Sequence, residues 1–106
     1  MSKKEFVINV NECGEFTSLG EVYVFSTEKP DDVPVIAKLA YDKYKSLRKT
    51  SPQMVPSVCV CIDDWDYEVI SGGRITDTSR YPKEIIEAEQ FISLRQALSE
   101  LIRKDV

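Results

Sequence analysis

One segment of this chain repeats its apolar residues every three to four positions, and it is bracketed by two pairs of segments whose apolar residues alternate. Side chains return to one face of a helix about every 3.6 residues and to one face of a strand about every 2. The chain therefore has room for one long helix between two strand pairs. In the helical segment Ile36, Ala37, Ala40, Tyr44 and Leu47 keep the spacing, Leu39 and Tyr41 widen the stripe, and Lys38, Lys45, Arg48 and Lys49 fall elsewhere. Asp31 and Asp32 offer N-cap oxygens, Pro34 is tolerable in a first turn, and Pro52 turns its predecessor away from helical geometry. A helix near 32–49 is predicted.

Upstream of it, Phe6–Val10 and Val22–Ser26 are rich in β-branched and aromatic residues and are separated by turn-forming Asn11, Gly14, Ser18 and Gly20, which predicts an antiparallel pair. Downstream, Val58–Ile62 is apolar on both faces, with Cys59 and Cys61 between the aliphatics, as expected of a central strand buried on two sides. Asp63-Asp64 turns the chain into Trp65–Ile70, a second hairpin that Ser71-Gly72-Gly73 terminates. A polar loop over 74–81 then leads to Pro82 at the first position of a short helical segment reaching Gln90. Ser93-Leu94-Arg95-Gln96 matches a capping box, placing a terminal helix over 93–104.

With 106 residues the chain is expected to form one domain, 1–106. The expected fold class is α+β, in the order β-β-α-β-β-(α)-α. Its sheet is four-stranded and mainly antiparallel, with helices packed on one face. The expected core is Phe6, Ile8, Val22, Val24, Ile36, Ala40, Leu47, Val60, Leu94, Leu98 and Leu101.

The complete absence of histidine excludes an imidazole base, a His metal ligand and a His-based pH switch. The net charge of −4 disfavours nucleic acid and anionic lipid as partners. That charge is unevenly spread: residues 33–50 hold five cations against the single Asp42, a net +4 that leaves −8 elsewhere. An acidic start and a basic end also suit the helix macrodipole, so the gradient has a structural cause that needs no ligand. No apolar run approaches the roughly 18 residues that span a bilayer, and the charged start carries no signal-peptide pattern, so a cytoplasmic location is expected. Three cysteines make poor material for a secreted disulfide framework. The spacing of Cys13, Cys59 and Cys61 also departs from that of structural zinc sites, so neither a metal nor a cofactor is expected.

The most distinctive stretch is Asp63, Asp64, Trp65, Asp66, Tyr67 and Glu68, four carboxylates interleaved with two large aromatics. As a calcium loop it lacks the required glycine, Val69 standing in its place, and no helix flanks it. As a recognition hairpin it presents the aromatic types that dominate protein-binding surfaces, and its bland alternative is a core tryptophan beside a solvated turn. Lys45, Arg48 and Lys49, at the basic helix end, form a second candidate contact for a protein partner. Gly72, Gly73, Arg74 and Arg80 form a candidate phosphate cradle, since glycines let backbone amides converge and arginines clamp oxygens.

The leading expectation is a non-enzymatic regulator, inhibitor or immunity-type factor that binds another protein through the acidic-aromatic hairpin, the basic helix end, or both. Alternatives are a small-ligand or nucleotide-phosphate binder, and an enzyme working with Asp64, Asp66 or Cys61. A homodimer is expected as well, built by the C-terminal helix, where Phe91, Ile92, Leu101 and Ile102 widen the apolar arc, or by pairing of edge strands.

Overall fold

The computed structural model describes residues 6–13, 22–27, 29–50, 55–62 and 65–105. The strands are β1 (Phe6–Cys13), β2 (Val22–Thr27), β3 (Val55–Ile62), β4 (Trp65–Ser71) and β5 (Arg74–Ile75). The helices are α1 (Val33–Thr50), α2 (Lys83–Ile86) and α3 (Glu89–Lys104), with short 3₁₀ turns at Pro30–Asp32 and Thr78–Arg80. All strand pairs are antiparallel, in the order β2-β1-β3-β4-β5, so β3 is indeed central.

The sheet has five strands rather than the expected four. Gly72 and Gly73 do not merely end β4. Both have positive φ, +61° and +81°, as a two-residue type I′ hairpin turn requires, and the chain folds straight back. Ser71 then faces Arg74 and Ile70 faces Ile75, so the start of the expected polar loop becomes a short edge strand.

Register decides which side of the sheet is inside. Ile8 lies opposite Val60 on one side and Phe25 on the other, and Val10 lies opposite Val58 and Tyr23. Ile8, Val10, Val58 and Val60 are wholly buried, and Tyr23 and Phe25 pack against the same core. Val22 and Val24, expected in the core, therefore point the other way, at 57% and 58% exposure. Alternation alone leaves open which half of a six-residue strand faces inward. In β2 the larger aromatic half does, because it shares a face with Ile8 and Val10. Of the other expected core residues, Ile8, Ala40, Leu47, Val60, Leu94 and Leu98 are buried, Ile36 and Leu101 are half-buried against the core, and the side chain of Phe6 lies outside the described ones.

Between β3 and β4 the register shifts: Val58 faces Ile70 but Cys59 faces Glu68, which leaves Val69 as an extra residue. Such a bulge lets two consecutive side chains turn toward one side, and Val69 and Ile70 are both wholly buried. The carbonyl of Glu68 accepts hydrogen bonds from the hydroxyls of Thr76 and Tyr81, and the Thr76 amide donates to the carbonyl of Val69 at 2.9 Å. Arg95 of α3 donates in turn to the carbonyl of Thr76 at 2.8 Å. The ring of Tyr81 meets Tyr67 and Phe91 edge-on, at 5.6 and 4.9 Å between centroids.

The last helix starts at Glu89, four residues before the capping-box match, and Ala88 at its N-cap supplies no side-chain bond. Packing outweighs the local cap here. Phe91 already begins the buried stripe that Leu94 and Leu98 continue, so Ser93 sits inside the helix. Pro82 precedes α2 as its N-cap, and its carbonyl accepts from the amides of Ile85 and Ile86.

Because Tyr81 joins the bulge to the aromatic core, Tyr81→Phe keeps the ring contacts and removes the part-buried hydroxyl that donates to the Glu68 carbonyl and bonds the Thr76 hydroxyl. The expected cost is about 1–2 kcal/mol, read in a thermal melt as a fall of several degrees. Thr76→Val, which strips the neighbouring hydroxyl, shifts the melt in the same direction, and an unchanged melting temperature for both variants contradicts this account.

Candidate functional site

Each sequence-derived candidate site meets a different fate in the fold. Asp63 and Asp64 lie outside the described residues, and of Trp65 and Asp66 only the backbone is described, within β4 opposite Ile62 and Cys61. Tyr67 is half-buried on the helix-covered side, opposite Val60 and against Tyr81. Glu68 is exposed and faces Cys59 on the opposite side of the sheet. The described part of the acidic-aromatic stretch is thus split between two faces, as alternation requires.

Four of the five cations of α1, Lys38, Lys43, Lys45 and Arg48, have partners within the molecule, Lys38 pairing with Asp42 at 3.3 Å. Lys43 sits 4.5 Å from the centre of the Tyr23 ring, Lys45 is 5.0 Å from that of Tyr41, and Arg48 is 5.9 Å from that of Tyr44. Lys45 also pairs with Asp105 at 3.2 Å, and the Tyr41 hydroxyl donates to the same carboxylate oxygen at 2.8 Å. This clasp ties the end of α3 to α1. Arg48 and Lys49 remain exposed.

Burial, reinforced by the hydrogen bond to Asp105, pushes the Tyr41 hydroxyl up to about 12. The hydrogen bonds from Tyr41 and Lys45 hold the Asp105 carboxyl below its usual range. The signs follow from linkage. A raised tyrosine stabilises the fold below its ordinary value near 10, and that contribution is lost as pH rises toward about 12. A lowered carboxyl stabilises above its ordinary value and loses that contribution as pH falls through it.

The glycine pair is accounted for by the turn it makes. Nothing lies within 4 Å of where a Cβ on Gly72 would stand, whereas a Cβ on Gly73 would meet Arg48 Nη1 and the Tyr44 hydroxyl, each at 3.9 Å. One residue from the basic helix end and one from the proposed cradle thus become neighbours. Arg74 is exposed on β5, and Arg80 belongs to the second 3₁₀ turn with its side chain outside the described ones.

A different surface emerges from the register, one that no local motif announced. On the side of the sheet away from α1 and α3, Val24, Asn9, Cys59 and Glu68 form one cross-strand row. Val22, Asn11 and Ser57 form another, and Ser26, Val7 and Cys61 a third. Val22, Val24, Ser26 and Glu68 are exposed, Val7, Asn9, Asn11 and Cys61 are half-buried, and Ser57 and Cys59 are buried. The Asn11 Oδ1 atom is shielded from solvent and accepts no hydrogen bond among the described residues. No described helix packs on this side, which mixes aliphatic, amide and thiol groups with the Glu68 carboxylate at one end. Among the described residues no three Cys, Asp or Glu side chains gather as a metal site would need, and no helix is long and apolar enough to cross a membrane.

Comparison with protein-family models, with curated proteins and with solved structures finds no match.

Two outcomes test these assignments. Gly72→Ala and Gly73→Ala each force a side chain into left-handed backbone and destabilise by about 1–2 kcal/mol, while Asn at either position is better tolerated in chemical denaturation. In a tyrosinate absorbance titration Tyr41 ionises well above the ordinary value, and Tyr41→Phe removes that step together with the alkaline loss of stability that accompanies it.

Proposed function

We propose that this is a non-enzymatic binding protein that engages another macromolecule through the helix-free side of its sheet, acting as a regulator, inhibitor or immunity-type factor in the cytoplasm and assembling as a homodimer. The observation that carries the reading is the outward register of Val22 and Val24, more than half exposed beside the half-buried Val7 and Cys61. Contiguous apolar groups left on a folded surface commonly mark a contact with a partner. Glu68, from the distinctive acidic stretch, borders the same side, so one part of the expected hairpin contact is retained while Tyr67 serves the core. Lys45 also leaves the contact, since Asp105 and Tyr41 occupy it.

The test is affinity capture with the full chain, followed by identification of what is retained. Val7→Lys combined with Glu68→Lys alters the helix-free side without touching the helices, and circular dichroism checks that the fold persists. A defined protein retained by the native chain and depleted at least tenfold by the double variant supports the reading. Equal retention by both overturns this surface as the contact.

A further inference from the structure

The end of α1 meets the turn between β4 and β5. The position that a Cβ on Gly73 would take lies 3.9 Å from both the Arg48 Nη1 atom and the Tyr44 hydroxyl. Tyr44 is only 3% exposed, and among the described residues its hydroxyl has no hydrogen-bond partner. The other two buried tyrosines each bond theirs, Tyr41 to Asp105 and Tyr81 to Glu68 and Thr76. A polar group this enclosed ordinarily finds a partner, so the Tyr44 hydroxyl marks a corner that something outside the chain can complete.

The charges around the corner indicate what that is. Arg48, Lys49 and Arg74 are exposed, and none of them forms an ion pair among the described residues, whereas Lys38, Lys45 and Lys83 do. Gly72 and Gly73 lie beyond the closing Ser71–Arg74 pair, so the ladder leaves their amides unused. Guanidinium, hydroxyl and amides can all donate, and an oxyanion is the ligand that accepts from every one of them. The negative end of the α1 dipole lies here too and repels an anion, but it carries only about half a charge against three cations. A phosphate group, with about −1.5 to −2 charge near neutral pH and three acceptor oxygens, answers this excess better than the single charge of a carboxylate.

We propose that the corner between α1 and the Gly72-Gly73 turn binds the phosphate group of a small molecule. Arg48 and Tyr44 hold its oxygens, and Lys49 and Arg74 flank it. The sequence suggests a cradle of the glycines with Arg74 and Arg80, and the fold adds to the glycines a guanidinium and a hydroxyl from α1 that lie far away along the chain. This site lies apart from the helix-free side of the sheet, and neither reading depends on the other.

The test is titration of the full chain with inorganic phosphate and, separately, with glycerol phosphate, followed through its amide NMR signals at constant ionic strength. Saturable shifts of the Gly72, Gly73 and Arg74 amides are expected. Tyr44→Phe keeps the buried ring and weakens binding about tenfold, as loss of a hydrogen bond to a charged group does, and Arg48→Gln weakens it at least as much. Lys38→Gln removes the same charge toward the other end of α1 and leaves affinity within about twofold, since exposed charges beyond a Debye length are screened. Tighter binding of glycerol phosphate identifies the ligand as a phosphate ester, and equal binding identifies it as free phosphate. Absence of saturable shifts with both overturns the site. Equal losses from Lys38→Gln and Arg48→Gln, unchanged affinity in Tyr44→Phe, or saturation by acetate at the same concentrations overturns it as well.

Discussion

Ile8 and Val10 of β1 stand directly opposite Val60 and Val58 of β3, and all four are wholly excluded from water. Burial of side chains of this size contributes on the order of 2 kcal/mol each, so the pairing of these strands sets which face of the sheet must be covered. Once that face is chosen, Tyr23 and Phe25 of β2 follow through their register with Val10 and Ile8. Helix α1 lies over β1, β2 and β3, and it places Val33, Ala37, Ala40, Tyr44 and Leu47 onto the same core. The exposed valines of β2 are a direct consequence of that choice.

The far side of the sheet depends on a local irregularity. Were the ladder regular through Val69, strict alternation would send one of Tyr67 and Ile70 to the open face, because three positions separate them. The bulge admits both to the helix side, and the loop after β5 supplies the hydroxyls of Thr76 and Tyr81 that hold its carbonyls. Arg95 then links that loop to α3. Backbone groups displaced from the ladder thus find partners, as buried polar groups must.

Charge takes part in closing the molecule as well as in covering it. Three cations toward the C-terminal end of α1 lie over tyrosine rings, and one of them shares Asp105 with the Tyr41 hydroxyl. Part of the uneven charge along the chain thus has structural uses: Lys45 docks the end of α3, Lys43 and Arg48 lie over rings of β2 and α1, and the basic last turn suits the dipole of α1. Among the described residues no helix lies on the other side of the sheet, and β2 itself carries no charge.

The sequence by itself determined the four longer strands, the long helix and the terminal helix, in their order along the chain. The spacing of Ile36, Ala40, Tyr44 and Leu47 specifies α1, and the doubly apolar Val58–Ile62 marks the central strand, because periodicity is a property of consecutive residues. Only the tertiary structure decided which half of β2 faces inward, where α3 begins, and that Gly72-Gly73 turns the chain into a fifth strand. The first depends on partners far along the chain, Ile8 and Val10 for Tyr23 and Phe25, and the others on contacts that packing selects among near neighbours, Tyr81 for Phe91 and β4 for Arg74 and Ile75. The candidate surface was illegible for the same reason. Val24, Asn9, Cys59 and Glu68 come from four strands and become one row only through register, which no local pattern of residues encodes.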